Sequence, residues 1–218
     1  MFAKSAAFPL FPTLVRGFDL PEDAALRFNA DLLAHLEAWF TPRPKLRPGE
    51  TWQTTHDLHE LAVFAPFHPF LDAAVSGVLQ ELAIVARDYV ITGCWANVNP
   101  PAGFHPPHTH PNNILSGVYY AKTLPPNDAI TFHDPRPQAG VIRPAAAQQI
   151  AETASEIEIE AKPGRMLLFP SWLRHSVKPN YTTDQERVSM SFNVMLADFV
   201  GRHTAPMWRG FRADGTRA

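Results

Sequence analysis

Proline limits the fold of this chain more than any other residue. There are 22 among the 218 residues, several clustered in expected turns: Pro42-Arg43-Pro44, Pro100-Pro101, Pro106-Pro107 and Pro125-Pro126. Each proline fixes φ, removes a backbone N–H and breaks a helix interior. A helical bundle cannot absorb so many, whereas a β-fold with rigid turns can. The length suits one domain, 1–218. With 45% hydrophobic residues, that domain can bury a sizeable core.

Two segments carry helical periodicity. Asp19-Leu20-Pro21-Glu22 reads as a helix start, with early proline and early acids. Leu26, Phe28, Leu32, Leu33, Leu36 and Phe40 continue it as an apolar stripe. From about Pro66, the residues Phe67, Phe70, Leu71, Ala74, Val75, Val78, Leu79 and Leu82 follow i, i+3, i+4 steps. This second helix is expected to pack against a sheet.

After Tyr89 the pattern changes. Short β-leaning runs follow one another between Pro, Gly, Asn and Asp: Tyr89–Asn97, Leu115–Ala121, Ala129–His133, Ile157–Ile159, Arg165–Phe169 and Arg187–Ala197. Such spacing predicts a sandwich or barrel. Gln148–Ala161, rich in Ala and Glu, fits a helical insert and an edge strand equally. The expected architecture is mainly β with flanking helices (α+β). It has a helical part over about 1–88, a barrel core over about 89–197 and a tail over 198–218.

Charge narrows the partners. Charged residues are only 18% and the net charge is -2, so neither nucleic acid nor an anionic membrane is expected. One cysteine, Cys94, forbids an internal disulfide and fits a reducing compartment. The apolar stretch at the N-terminus is broken by Pro9 and Pro12, unlike a secretory leader. No stretch approaches the roughly 18 apolar residues of a membrane span. These features together predict a cytoplasmic protein. The oligomeric state stays open, a homodimer among the options. No G-x-S-x-G, P-loop, dinucleotide fingerprint or CxxC motif is present, which argues against hydrolase, kinase and dehydrogenase chemistry.

The histidines carry the chemistry. Three of the ten crowd into Phe104-His105-Pro106-Pro107-His108-Thr109-His110. On a strand, residues i and i+2 share a face, so His108 and His110 can aim two imidazoles at one point. Imidazole suits iron, zinc, copper or nickel. An H-x-H pair alone fits a polar loop as well as a metal site. The run Pro163-Gly164-Arg165-Met166-Leu167-Leu168-Phe169-Pro170-Ser171-Trp172-Leu173-Arg174-His175 reads as turn, buried strand, turn and then a histidine delivered past the strand end. Arg187-Val188-Ser189-Met190-Ser191-Phe192-Asn193 alternates a polar with an apolar set. Its polar face requires either solvent or an acidic guest.

This order of motifs resembles the 2-oxoglutarate/Fe(II)-dependent oxygenases of bacteria and phages. The motifs are H-x-H, Leu-Ser-Gly-Val-Tyr-Tyr, Phe-His-Asp-Pro-Arg, Gly-x-x-Leu-Leu-Phe-Pro-Ser-Trp-Leu-x-His and Arg-x-Ser-x-Ser-Phe-Asn. The resemblance runs from about Trp95 to Asn193 and is most specific from Gly164 onward. It implies a double-stranded β-helix, a jelly-roll or cupin-like barrel, with iron(II) held at one mouth by His108, His110 and His175. It implies that Arg187, with Ser189 beside it, binds the far carboxylate of 2-oxoglutarate, and that O2 is consumed in hydroxylating a small-molecule or peptide substrate. Asn97 and Tyr120 are further candidates for contact with cofactor or substrate, and Asn99 shares a face with Asn97 if both lie on a strand.

One departure stands out. The wider superfamily uses a 2-His-1-carboxylate triad, and here His110 stands in the acid's position, with Asp134 the alternative ligand. Two other readings follow: a three-histidine cupin-type dioxygenase that needs no 2-oxoglutarate, and a non-catalytic metal-binding barrel. Arg136 is an equal candidate for recruiting an acidic substrate or for local ion pairing. His105 is expected beside the metal site, while His56, His59, His68 and His203 lack metal-like partners. Trp52, Trp95, Trp172 and Trp208 are expected in packing roles. The loops Thr41–Thr55 and Pro135–Ala147 are the expected substrate holders.

Overall fold

The structure, a computed structural model, describes residues 2–202 apart from 43, 44, 48, 86, 87, 125–127, 143 and 149. The expected turns at Arg43-Pro44 and Pro125-Pro126, and His203 and Trp208, lie outside those residues. The strands are β1 (Arg16–Asp19), β2 (Trp52–Gln53), β3 (Tyr89–Asn99), β4 (His105–His108), β5 (Leu115–Lys122), β6 (Ala129–His133), β7 (Glu156–Glu160), β8 (Arg165–Pro170), β9 (His175–Val177) and β10 (Arg187–Leu196). The helices are α1 (Glu22–Trp39), α2 (His68–Glu81) and the short α3 (Ala197–Arg202), with 3₁₀ turns at Leu58–Glu60, Ala62–Phe67 and Pro137–Gly140.

The strands form two antiparallel sheets. One has six strands in the order β1-β8-β5-β10-β3-β2, the other four in the order β4-β9-β6-β7. Period-two alternation sorts the larger sheet into two faces. Cys94, Ala96 and Val98 of β3, Tyr119 of β5, Met166 and Leu168 of β8, and Val188, Met190, Phe192 and Val194 of β10 join one core cluster. That cluster also holds Phe28, Leu32 and Leu36 of α1 and Leu71, Val75 and Val78 of α2, so the helices cover the sheet's outer face. Val118, Tyr120, Leu167 and Phe169 point the other way, toward Ile130 and Phe132 of the smaller sheet, and form a second cluster between the sheets.

Several elements depart from the sequence expectation. Strands β1 and β2 precede residue 88 and extend the large sheet at both edges. Each is too short for periodicity to show. The ambiguous stretch 148–161 resolves into an irregular segment followed by β7. Pro106-Pro107 forms no turn but lies inside β4. Proline is tolerated there because β4 is an edge strand with a register irregularity between His105 and His108. Ala62–Glu81 is, after all, one segment long and apolar enough to cross a membrane. In this fold it puts Phe64, Phe67, Leu71 and Val75, all at most 1% exposed, against α1 and the large sheet. Trp172 is 57% exposed and not packed.

The helix–sheet seam depends on one missing side chain. Gly117 of β5 pairs with Phe192 of β10, and a Cβ at 117 would lie 2.1 Å from Phe192 Cζ. The Phe192 ring, itself 0% exposed, fills the space a side chain would need. Gly117→Ala is therefore expected to lower unfolding free energy by about 1–3 kcal/mol through overpacking. Urea denaturation measures this, and an unchanged midpoint would show that the ring moves freely.

Candidate metal centre and its cleft

Three histidines meet at the mouth between the two sheets. In β4–β9 pairing, His108 stands opposite His175. His110 lies past the end of β4 and not on it, so strand periodicity is not what aligns the H-x-H pair. A backbone bond does this instead: His110 N–H donates to the Ser171 carbonyl at 2.9 Å. The ring centroids are 4.9 Å apart for His108–His110, 4.4 Å for His108–His175 and 5.2 Å for His110–His175. One nitrogen from each lies within 4.8 Å of the others.

The rings are aimed by their second nitrogens. His108 Nδ1 is 2.7 Å from the Pro106 carbonyl and His175 Nδ1 is 2.9 Å from the Leu173 carbonyl. A carbonyl can only accept, so both Nδ1 atoms carry the proton and both Nε2 atoms keep a lone pair for a cation. Burial pushes the His110 imidazole down to about 3 and His175 down to about 4, with the neighbouring imidazoles adding to the effect. Both rings are thus held neutral, the form a metal requires. On the outer face, His133 anchors the three-residue strand β9. Its backbone N–H donates to Arg174 O at 2.9 Å, and its Nε2 pairs with Ser176 Oγ at 2.9 Å.

A cleft runs inward from the triad between the sheets. Gln53, Trp95, Asn97, Asn99, His105, Tyr120, Asp128, Arg187 and Ser189 line it. The inward face of β10 supplies Arg187, Ser189 and Ser191, because Val188 and Met190 are committed to the helical layer. Arg187 is 4% exposed. It donates from one terminal nitrogen to Asp128 Oδ1 at 2.6 Å and from the other to Lys178 O at 3.3 Å.

The sequence candidates fare unequally. His108, His110 and His175 are brought together, and Arg187, Ser189, Asn97 and Tyr120 line the same cleft. Asn97 is already engaged, accepting from Gln53 at 2.7 Å and donating to Ser191 at 3.1 Å. Tyr120 Oη and both amide atoms of Asn99 are buried without a hydrogen-bond partner among the described residues. Asp134 does not join the triad, since Arg136 grips it at 2.9 and 3.0 Å. Arg136 thereby resolves as a local ion pair. Trp95 packs on His56 at 4.6 Å, as expected, and also lines the cleft.

Sequence reasoning missed Gln53 and Asp128, which follow no motif. It also missed the hydroxyl network that fixes the backbone under His110, in which Ser116 Oγ bonds Ser171 Oγ at 3.0 Å and Asn193 Oδ1 at 2.7 Å. The one available signal was serine inside otherwise apolar strand runs.

Residues 93–193 match the model of a family described as "Putative 2OG-Fe(II) oxygenase". No curated protein matches the chain. Among solved structures, it is similar to a prolyl-4-hydroxylase of Pseudomonas putida, with a TM-score of 0.58 and 17% identity over 84% of this chain and 93% of that one. It is similar to a prolyl hydroxylase of Trichoplax adhaerens crystallised with a hypoxia inducible factor peptide (TM-score 0.59, 13% identity, 87% of each chain). A third is HygX of Streptomyces hygroscopicus, crystallised with nickel and 2-oxoglutarate (TM-score 0.57, 12% identity, 94% of this chain and 90% of that one). At these identities the likeness carries the fold, a double-stranded β-helix.

The buried histidines set a pH dependence. An unfolded imidazole titrates near 6.5, while His110 and His175 in the fold titrate at about 3 and about 4. Between those values the unfolded chain binds more protons, so the metal-free fold must lose stability as pH falls from about 6.5 toward 4. His110→Gln removes one of these groups. Thermal melts from pH 7 to 4 are expected to fall less steeply for that variant, and parallel curves would contradict the assignment.

Proposed function

We propose, from the match of residues 93–193 to the 2OG-Fe(II) oxygenase family model, that the chain is such an oxygenase, that His108, His110 and His175 hold the iron(II) and that Arg187 binds the far carboxylate of 2-oxoglutarate. The observation that carries this reading is the convergence of three nitrogen donors within 4.8 Å at one end of a cleft that has a buried guanidinium farther along it. A ligand with a chelating 2-oxo acid at one end and a carboxylate at the other carries the chemical group that suits each of these two points.

The donor set fits the metal. Three neutral imidazoles suit iron(II) and leave coordination positions for a chelating cosubstrate. The triad departs from the facial triad in holding no carboxylate, and Asp134, the alternative ligand, is bound to Arg136. Iron(II) held here supplies activation of O2 coupled to decarboxylation of 2-oxoglutarate to succinate, and through it the hydroxylation of a substrate.

The protein's own residues bind, orient and exclude water. The Pro106 and Leu173 carbonyls lock the ring orientation of His108 and His175. Arg187 presents N–H donors to a carboxylate, and Ser189 on the same inward face adds a hydroxyl. Tyr120 Oη and the Asn99 amide are buried polar groups that a bound ligand would satisfy. Phe169, 2% exposed, packs its ring 4.8 Å from that of His175 and keeps the inner side of the centre dry. Trp95 and Gln53, which line the cleft, are in position to contact the substrate, a small molecule or a peptide. The whole of 1–218 acts as one domain in this reading, because the N-terminal helices complete its core. A reducing, cytoplasmic setting is in keeping with the single, buried Cys94 thiol.

Alanine at His108, His110 or His175 is expected to bring iron stoichiometry from one per chain to near zero with unchanged far-ultraviolet circular dichroism. Arg187→Ala is expected to retain iron while weakening 2-oxoglutarate by at least about thirtyfold, since one partner of a buried charge pair is lost. Iron retained by His110→Ala would reassign the third position. O2 consumption with substrate oxidation but no succinate would favour the three-histidine dioxygenase that uses no 2-oxoglutarate.

A further inference from the structure

The guanidinium that this reading assigns to 2-oxoglutarate already has a carboxylate. Arg187 Nη1 lies 2.6 Å from Asp128 Oδ1, with both side chains about 5% exposed or less. The other oxygen, Oδ2, accepts the Leu124 N–H at 3.1 Å, so Asp128 is held from both sides just ahead of β6. Asp128 and Arg187 line the same cleft.

The charge balance at this end is therefore close to neutral before any ligand arrives. A dicarboxylate whose far end reaches Arg187 brings a second negative charge to one buried guanidinium. Two carboxylates on one such group repel, and burying the surplus charge is unfavourable. The same end nevertheless holds unfilled hydrogen-bonding capacity, since Tyr120 Oη and the Asn99 amide have no partner among the described residues. Asn99 stands opposite Arg187 in the β3–β10 ladder. Burial raises the Tyr120 hydroxyl's pKa, with Asp128 raising it further and Arg187 opposing. The phenol therefore lies within electrostatic reach of both partners.

We propose that Asp128 is a built-in competitor for Arg187, holding the guanidinium in the cleft of the ligand-free protein and yielding it to the far carboxylate of 2-oxoglutarate. The inference rests on the assignment of Arg187 to that carboxylate. Asp128 sets how strongly the protein binds its cosubstrate, and does so only for 2-oxo acids that carry a second carboxylate. Without Asp128, the far carboxylate becomes the one negative partner offered to Arg187, and binding strengthens.

The test is calorimetric binding of 2-oxoglutarate, and of 2-oxovalerate as its monocarboxylate counterpart, to nickel-loaded wild type, D128N and R187A. D128N is expected to bind 2-oxoglutarate about tenfold more tightly, because like charges at a shared site repel even at the high effective dielectric of proteins. Its affinity for 2-oxovalerate is expected to stay within twofold of wild type. Weaker or unchanged 2-oxoglutarate binding in D128N overturns the proposal; the weaker result would make Asp128 a positioning residue for Arg187. Should D128N not fold, D128S serves in its place under the same criteria. R187A tests the assignment beneath: if it binds 2-oxoglutarate as tightly as wild type, Arg187 does not hold the far carboxylate. If R187A weakens binding and D128N does not strengthen it, the competitor role alone fails.

Discussion

The structure depends on the alternation of side chains along β10. This strand lies between β5 and β3 in the six-stranded sheet, and its residues divide strictly by parity. Val188, Met190, Phe192 and Val194 are at most 4% exposed and sit under the helices. Arg187, Ser189 and Ser191 line the cleft between the sheets, and Asn193 on the same face accepts from Ser116 of the neighbouring strand β5. A slip of one residue would put the guanidinium into the helical core and four apolar side chains into the cleft. The packing of α1 and α2 and the polarity of the cleft are thus two consequences of one register, set by the apolar half of β10.

A polar interior is tolerable only if its groups are satisfied. Most are. Ser116, Ser171 and Asn193 form one network beneath the histidines, and Gln53, Asn97 and Ser191 form another along the wall. Arg187 and Asp128 neutralise each other at the inner end. The unsatisfied groups, Asn99 and Tyr120, cluster at that inner end. Hydrogen bonds thus hold the side chains beneath the histidine triad, and the spare donors and acceptors lie beside Arg187.

The sequence showed the parts of this arrangement that repeat along the chain. Helical stripes gave α1 and α2, and the two-residue period of Arg187–Asn193 distinguished the inward from the outward face. The buried run before His175 placed that histidine correctly past a strand end. What could not be read were contacts between distant segments. His110 is held by Ser171, 61 positions away by their numbering, through a backbone bond that no side chain advertises. Asp128 meets Arg187 at a sequence separation of 59. The prolines of β4 were misread as a turn because local propensity does not reveal that a strand lies at a sheet edge. The short strands β1 and β2 owe their form to the neighbours they pair with.

In the proposed function, the histidine triad and Arg187 hold the two ends of one ligand in one cleft. Anaerobic titration of the metal-free protein with iron(II), followed by 2-oxoglutarate, tests it most directly, because chelation of the 2-oxo acid to histidine-bound iron(II) gives a visible charge-transfer absorption. The expected band needs both additions, saturates at one iron per chain and is absent in His175→Ala. Stoichiometric iron binding with no band at saturating 2-oxoglutarate would contradict it.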